Sequence, residues 1–361
     1  MYAKDSLFFL ALTMLIPLTA CRKNTESDEN ILRNLYTQMT DEPLVESMDA
    51  VPSNVAFADG KYYVFSRENN REAYFYDKTA DAYEEKSYYI VMDENGGAPE
   101  KISLSFNNNV QTLTERGMFV VYHQAQFQWY SMTGELLMDV PLENVRPDGG
   151  ANSPSLSTNG VFISGRSIVA AEDEIAMLWG KKLAFYDDTL TMTAALDLPV
   201  DSVDIAYAEG GYYVTYRTGD GLTVAEIRDH TIVQEYATPA YMNGISPLYE
   251  GAPIDCHNGY YYFYKDDMVY RCRLTADADP EKLAYEPVAD LLQSGITGSV
   301  RGVELFFHGK NDRPHMSILT MDGSASTVRI YRPSEDIDLT TATVLRLVGM
   351  EISEDIKAEI A

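Results

Sequence analysis

Cationic residues are scarce in this chain: 28 Lys and Arg stand against 55 Asp and Glu, for a formal net charge of −27. A nucleic-acid partner needs a basic footprint and is therefore not expected; at a cell surface the same acidity serves solubility. Cysteine is scarcer still, with three residues, too few for a disulfide framework. Two of them, Cys256 and Cys272, fall in PIDCHNGYYYFYKDDMVYRCRL. If HNG and KDD are tight turns, the two cysteines lie two strands apart, at roughly twice the 4.8 Å strand spacing, too far for their Cα atoms to be bridged. Free, partly buried thiols are expected, unless a bulge shifts the register and permits a disulfide. Helical periodicity is almost missing: between residues 34 and 341 only PVADLLQSG (287 to 295) reads as a helical turn or two. A fold built on βαβ units is therefore not expected.

Signature motifs are missing too. GxSxG, HExxH, P-loop and CxxC spacings are not found, so no nucleophile elbow, zinc helix or phosphate cradle is written here. The five histidines, His123, His230, His257, His308 and His315, are scattered without metal-ligand spacing, although His308 and His315 flank the turn GKNDRP and could meet across a hairpin. Asp277 and Asp279 lack the other ligands and the glycine of an EF-hand loop. A glycosidase needs two carboxyl groups at a set separation, and among 55 acids the sequence selects no pair. Trp129, Trp179 and the tyrosines could stack on sugar rings, but aromatic residues inside strand runs pack blades more often. No catalytic, cofactor or metal-binding residue is assigned, the ligand-contact residues are unknown, and the expectation is a protein that is not an enzyme.

What the chain does have is tyrosine, 26 residues, arranged in short runs. KYYVF at 61 to 65, GMFVVY at 117 to 122, EIAMLW at 174 to 179, GYYVTY at 211 to 216, GYYYFY at 259 to 264 and VELFFH at 303 to 308 recur, five of the six with glycine just before the first apolar residue. A second strand-like run follows each: AYFYD, FQWYS, KLAFYD, LTVAEI, MVYRCRL and MSILTMD. A third, commonly ending at proline, completes most units: ELLMDVP, AALDLP, VQEYATP, KLAYEP and TVRIYRP. Such triples are the mark of antiparallel meanders. From Gly60 to Gly302 the intervals average about 48 residues, in the range of four-stranded propeller blades. Runs apolar on both faces suit blades sandwiched between neighbours, whereas a one-sided sandwich shows clean alternation. The expected fold is an all-β propeller over residues 44–340 with six blades, or seven if residues 31 to 58 hold extra strands rather than the closing strand of the last blade. The loop DGGANSPSLSTNG (148 to 160) is long and polar, as loops that carry function tend to be, or it is slack between blades.

The amino-terminal end carries an address. Residues 7 to 18 (LFFLALTMLIPL) form a nearly unbroken apolar run that reaches only about 18 Å as a helix, short of the roughly 30 Å hydrocarbon core. It reads as a signal peptide over residues 1–20. Leu18-Thr19-Ala20-Cys21 resembles the lipobox of bacterial lipoproteins. The resemblance implies that Cys21 is acylated and becomes the first residue after cleavage, anchoring the chain to the outer face of a membrane. An ordinary exported protein is the alternative. The polar stretch that follows, within residues 21–43, cannot offset its ordering entropy and reads as a flexible tether.

At the other end, residues 343 to 350 (TVLRLVGM) read as a strand and residues 353 to 361 as the start of a helix, with Ser353 as N-cap and acids in the first turn. The layout of lipobox, acidic tether, blades and finally TATVLRLVGMEISEDIKAEIA resembles gut-bacterial lipoproteins in which a β-propeller precedes an extracellular solute-binding domain of ABC importers. In that group residues 341–361 would open the solute-binding domain; otherwise they cap the propeller. The resemblance implies a non-catalytic accessory or binding module, an importer permease as partner, and a small-molecule or glycan ligand, carbohydrate first. Two other classes stay open: a surface enzyme acting on glycans, which requires acids or histidines converging on the central channel, and a scaffold that binds envelope proteins through its loops.

Overall fold

The computed structural model describes residues 35–40, 43–47, 55–69, 85–104, 110–122, 126–147, 167–199, 202–219, 221–242, 253–308, 313–322 and 325–334. Two compact units are defined, one of Met1–Leu35 with Pro333–Ala361, the other Tyr36–Arg332. In the first, the Ser334 N–H donates to the Leu35 carbonyl at 3.1 Å. The segment read as a signal peptide, Cys21, the loop 148 to 160 and the sequence from 341 onward lie outside the described residues.

Tyr36–Arg332 is a six-bladed β-propeller. Two short strands come first, β1 (Tyr36–Gln38) and β2 (Val45–Ser47). Blade I follows with β3 (Val55–Ala58), β4 (Lys61–Asn69), β5 (Glu85–Asp93) and β6 (Glu100–Leu104). Blade II holds β7 (Val110–Thr114), β8 (Gly117–Tyr122), β9 (Gln126–Tyr130) and β10 (Leu136–Pro141), ending in a single helical turn, α1 (Leu142–Val145). Blade III is β11 (Ile168–Ala170), β12 (Ile175–Trp179), β13 (Lys182–Tyr186) and β14 (Met192–Asp197). Blade IV is β15 (Ser202–Ala208), β16 (Gly211–Thr218), β17 (Gly221–Arg228) and β18 (Thr231–Ala237). Blade V is β19 (Pro253–His257), β20 (Tyr260–Lys265), β21 (Met268–Arg273) and β22 (Tyr285–Asp290). Blade VI has β23 (Ser299–Phe306), β24 (His315–Asp322) and β25 (Ala325–Pro333), and is closed by β1 and β2, both paired to β25. The closing strand expected within residues 31 to 58 is thus present, and β1 falls inside the stretch read as tether.

Each blade is a meander whose first strand is innermost, and successive innermost strands neighbour one another around the axis. The ring closes where Phe57 of β3 meets Phe306 of β23, with ring centroids 6.5 Å apart. First and second strands are joined in blades I, IV and V by two-residue turns, Asp59-Gly60, Glu209-Gly210 and Asn258-Gly259, with positive φ at both positions. This is the hairpin turn whose twist matches that of the flanking strands, and glycine at its second position adopts it without Cβ strain.

The core is not one cluster but six, each shared by two adjacent blades. Between blades I and II, for example, Phe65 and Tyr89 meet Leu113, Met118 and Tyr130. The seam between VI and I joins Leu44, Val328 and Ile330 to Val55, Tyr62 and Val64. Inner strands are therefore covered on both faces: β16 is buried at six consecutive positions, whereas the outermost β10 and β14 alternate between exposed and half-buried. That is the sandwiching expected from runs such as GYYVTY.

Several element readings need correction. PVADLLQSG is not helical at its start, because Val288 and Ala289 belong to β22; the remainder is one turn held by Asp290, whose side chain accepts from Gln293 N and whose carbonyl accepts from Ser294 N. The partner of KYYVF is β5, with Tyr62 opposite Met92 and Val64 opposite Ile90, so SYYIVM takes the place given to AYFYD, which lies outside the described residues. VELFFH is not equivalent to the other five runs. It is the innermost strand of blade VI, whereas they are second strands, and Gly302 sits at a register shift inside β23 rather than in a turn. Cys256 and Cys272 are free, as expected, and fully rather than partly buried. Tyr261 of β20 stands between them in the register.

Candidate functional site at one mouth of the channel

The six innermost strands enclose a cavity of about 240 Å³, lined by residues toward their carboxyl ends and the turns that follow. Blade I contributes Phe57, blade II Glu115, blade IV Tyr207, blade V Asp255 and His257, and blade VI Phe307 and His308.

Phe57 lies flat on His308, with ring centroids 3.6 Å apart and an interplanar angle of 9°. His308 Nε2 is 2.7 Å from the Tyr62 hydroxyl, which also meets His315 Nδ1. Glu94 Oε2 stands 3.8 Å from His308 Nδ1. A carboxylate on that side favours the Nδ1–H tautomer, so Tyr62 O–H donates to Nε2 and accepts from His315. Burial, and then the neighbouring His315, hold His308 down at about 4, so its ring is neutral at neutral pH. Burial likewise pushes the Tyr62 phenol up.

The second pair is built the same way. His257 stacks on Phe307 at 4.1 Å and 13°, and its Nδ1 is 3.8 Å from Glu209 Oε1 across the seam between blades IV and V. Tyr207, 40% exposed, leans on Tyr212 at 5.0 Å. Asp255 is only 7% exposed, and its carboxylate accepts from Cys256 N at 2.9 Å. Burial, followed by the nearby Asp255 and Asp204, pushes the Cys256 thiol well up, which makes it a poor nucleophile. At the next seam His230 Nε2 meets Glu174 Oε1 at 2.8 Å while Tyr212 donates to Glu174 Oε2 at 2.9 Å. The guanidinium of Arg116 is engaged by Asp188 at 2.7 Å and the Ala171 carbonyl at 3.1 Å.

The structure thus brings together residues that the sequence scattered. His308 and His315 do meet, with ring centroids 4.5 Å apart. His230, His257 and His308 each face a glutamate of a neighbouring blade. His123 and Cys21 lie outside the described residues. Asp279 accepts from Glu281 N and pairs with Lys282, while Asp277 occupies a positive-φ turn position. Among the described residues no group of three metal-ligating side chains converges. Trp129 is blade packing: it is buried and stacks on Phe119, and its indole N–H donates to the Arg116 carbonyl. Trp179 packs at the seam of blades II and III. Phe57, Tyr207, Asp255, Glu115 and Phe307 are not singled out by the sequence. The missed signal is positional: Phe57, Tyr207 and Cys256 each stand three residues before the hairpin glycine, Gly60, Gly210 and Gly259, which places that register at the channel end.

No protein-family model and no curated protein matches the chain. Among solved structures, similarity is found to the WD40 domain of Neurospora crassa Pan2, at 10% identity over 84% of this chain and 97% of that one, with a TM-score of 0.44. A Bacteroides fragilis protein provisionally described as exported is similar at 9% identity over 93% of both chains, with a TM-score of 0.43. Kluyveromyces lactis Hsv2 is similar at 12% identity and a TM-score of 0.35; the match covers 60% of this chain and spans 57% of that chain's length. These likenesses carry no function across, and the propeller assignment stands on the strand pairing above.

Proposed function

We propose that this chain is the propeller module of a lipid-anchored, extracytoplasmic lipoprotein and that it captures a small solute at the channel mouth without transforming it. The anchoring rests on the short apolar run before Cys21 and on the lipobox resemblance there. One observation carries the capture: all six innermost strands deliver side chains to a single cavity rimmed by stacked Phe–His pairs and carboxylates. Concave sites with an apolar body and a few placed polar groups are the usual form of small-molecule sites. An accessory role beside an ABC-importer solute-binding domain, with an importer permease as partner and carbohydrate as ligand class, follows from the resemblance of the chain's layout. The test is a calorimetric screen of the full-length gene product against a sugar and small-solute panel, repeated with Phe307→Ala. Binding that this substitution weakens supports the reading; a panel with no binder sinks it.

A second reading is favoured by a specific arrangement. Acids and histidines do converge at the mouth, as a glycan-active enzyme requires, with His257 near Glu209 and Asp255 beside it in the wall. Turnover of a surface glycan that is abolished by Asp255→Asn and His257→Gln would establish that reading in place of capture.

A further inference from the structure

We infer that the channel mouth selects a small organic ammonium ion over a neutral solute of the same shape. This rests on the solute-capture reading and names its ligand class. Three aromatic side chains, Phe57, Tyr207 and Phe307, come to the cavity from three different blades. Glu115 of blade II and Asp255 of blade V line the same cavity from opposite sides, and no Lys or Arg is among its described lining residues. The cation next in sequence, Arg116, has its guanidinium committed to Asp188 and the Ala171 carbonyl and lies over the Trp129 ring at 5.1 Å.

Aromatic faces attract cations through their quadrupole, and carboxylates add a full charge of the same sense. A chain of net charge −27 raises the local concentration of cations at a low-dielectric cleft and repels anions from it. The two histidines are laid against Phe57 and Phe307. His308, held neutral by burial and by His315, adds ring surface there and no competing charge. A cavity of about 240 Å³ accommodates an ammonium head with a few carbons attached. A neutral sugar would gain the stacking but nothing from the carboxylate charge.

The probes are choline and 3,3-dimethylbutan-1-ol, its uncharged isostere, titrated into the full chain by calorimetry and proton NMR. Choline is expected to bind about tenfold tighter than the isostere, with its methyl signal shifted upfield by the rings and its affinity falling with salt. Phe307→Ala and Glu115→Gln should each weaken choline about threefold or more. The unfolding midpoint of each variant, measured beside its affinity, separates site loss from misfolding. Equal affinity for the isostere, or choline binding that ignores both substitutions, overturns the inference. Sugar binding that Phe307→Ala abolishes, with no choline binding, overturns it while leaving solute capture in place. Failure of choline and of the whole solute panel to bind overturns both.

Discussion

Gly117 shows how much a single position can carry. Its φ is +125°, and a Cβ built there would lie 2.0 Å from the Tyr130 carbonyl oxygen on the neighbouring strand. Backbone cannot step aside as a flexible side chain can, so Gly117→Ala should destabilise the ring by about 3 kcal/mol, read as a lower urea midpoint with an unchanged slope. The thiols make a second residue-scale test. Both are buried, and burial pushes Cys272 up to about 12, so a thiol reagent should leave Cys256 and Cys272 unmodified in the native state and label both in urea, as peptide mass spectrometry would show. His308 supplies the pH dependence. Its folded pKa is depressed to about 4 from an ordinary 6.5, so the unfolded chain binds the extra proton between those values. Stability from this group is complete above the upper value and declines as pH falls through the window. His308→Asn should flatten that part of the stability profile, and an unaltered slope would contradict the assignment.

At the scale of elements, the closing pair is the place to probe. Met39 N–H donates to the Ile330 carbonyl and Leu44 N–H to the Val328 carbonyl, both at 2.9 Å. Met39→Pro removes one of these donors and should cost about 1–3 kcal/mol, with proteolysis beginning at the seam between blades VI and I before the rest of the ring. Second and third strands are largely legible in the sequence because burial on both faces writes itself as an unbroken apolar run, as in IAMLW of β12, while several fourth strands are marked by the proline near their end. The innermost strands are not so legible. VAFA, IVA and PIDCH are three to five residues long, too short for a run or an alternation to stand out from the turns around them. Blade VI was misaligned for the same reason: β23 is innermost yet apolar enough to resemble a second strand. PVADLLQSG resembles a helix in sequence because a helical turn and a strand followed by an Asp-held turn share the same few apolar spacings.

For the whole molecule, the division of the core into six seams explains why composition alone could bound the fold but not the site. Apolar content fixes that blades must stack; which loops meet at the mouth depends on the order in which the ring is traversed. His230 and His308 stand beyond strand ends and His257 closes β19, all at the same end of their blades, a relation visible only once the inner strands are placed. The lipid anchor proposed at Cys21 is tested at this scale as well. Cells fed an alkynyl fatty acid should label the wild-type chain and not Cys21→Ala, and equal labelling would remove the basis for the anchor. The splicing of β1 and β2 onto β25 has a temporal corollary: blade VI lacks its outer edge until strands from opposite extremities of the ring coexist. A chain emerging from a ribosome therefore has no closed circle to adopt while its last strands are still unmade. Locking must be a late event governed by long-range encounter, and the blades made first must wait, open at one edge, for the last.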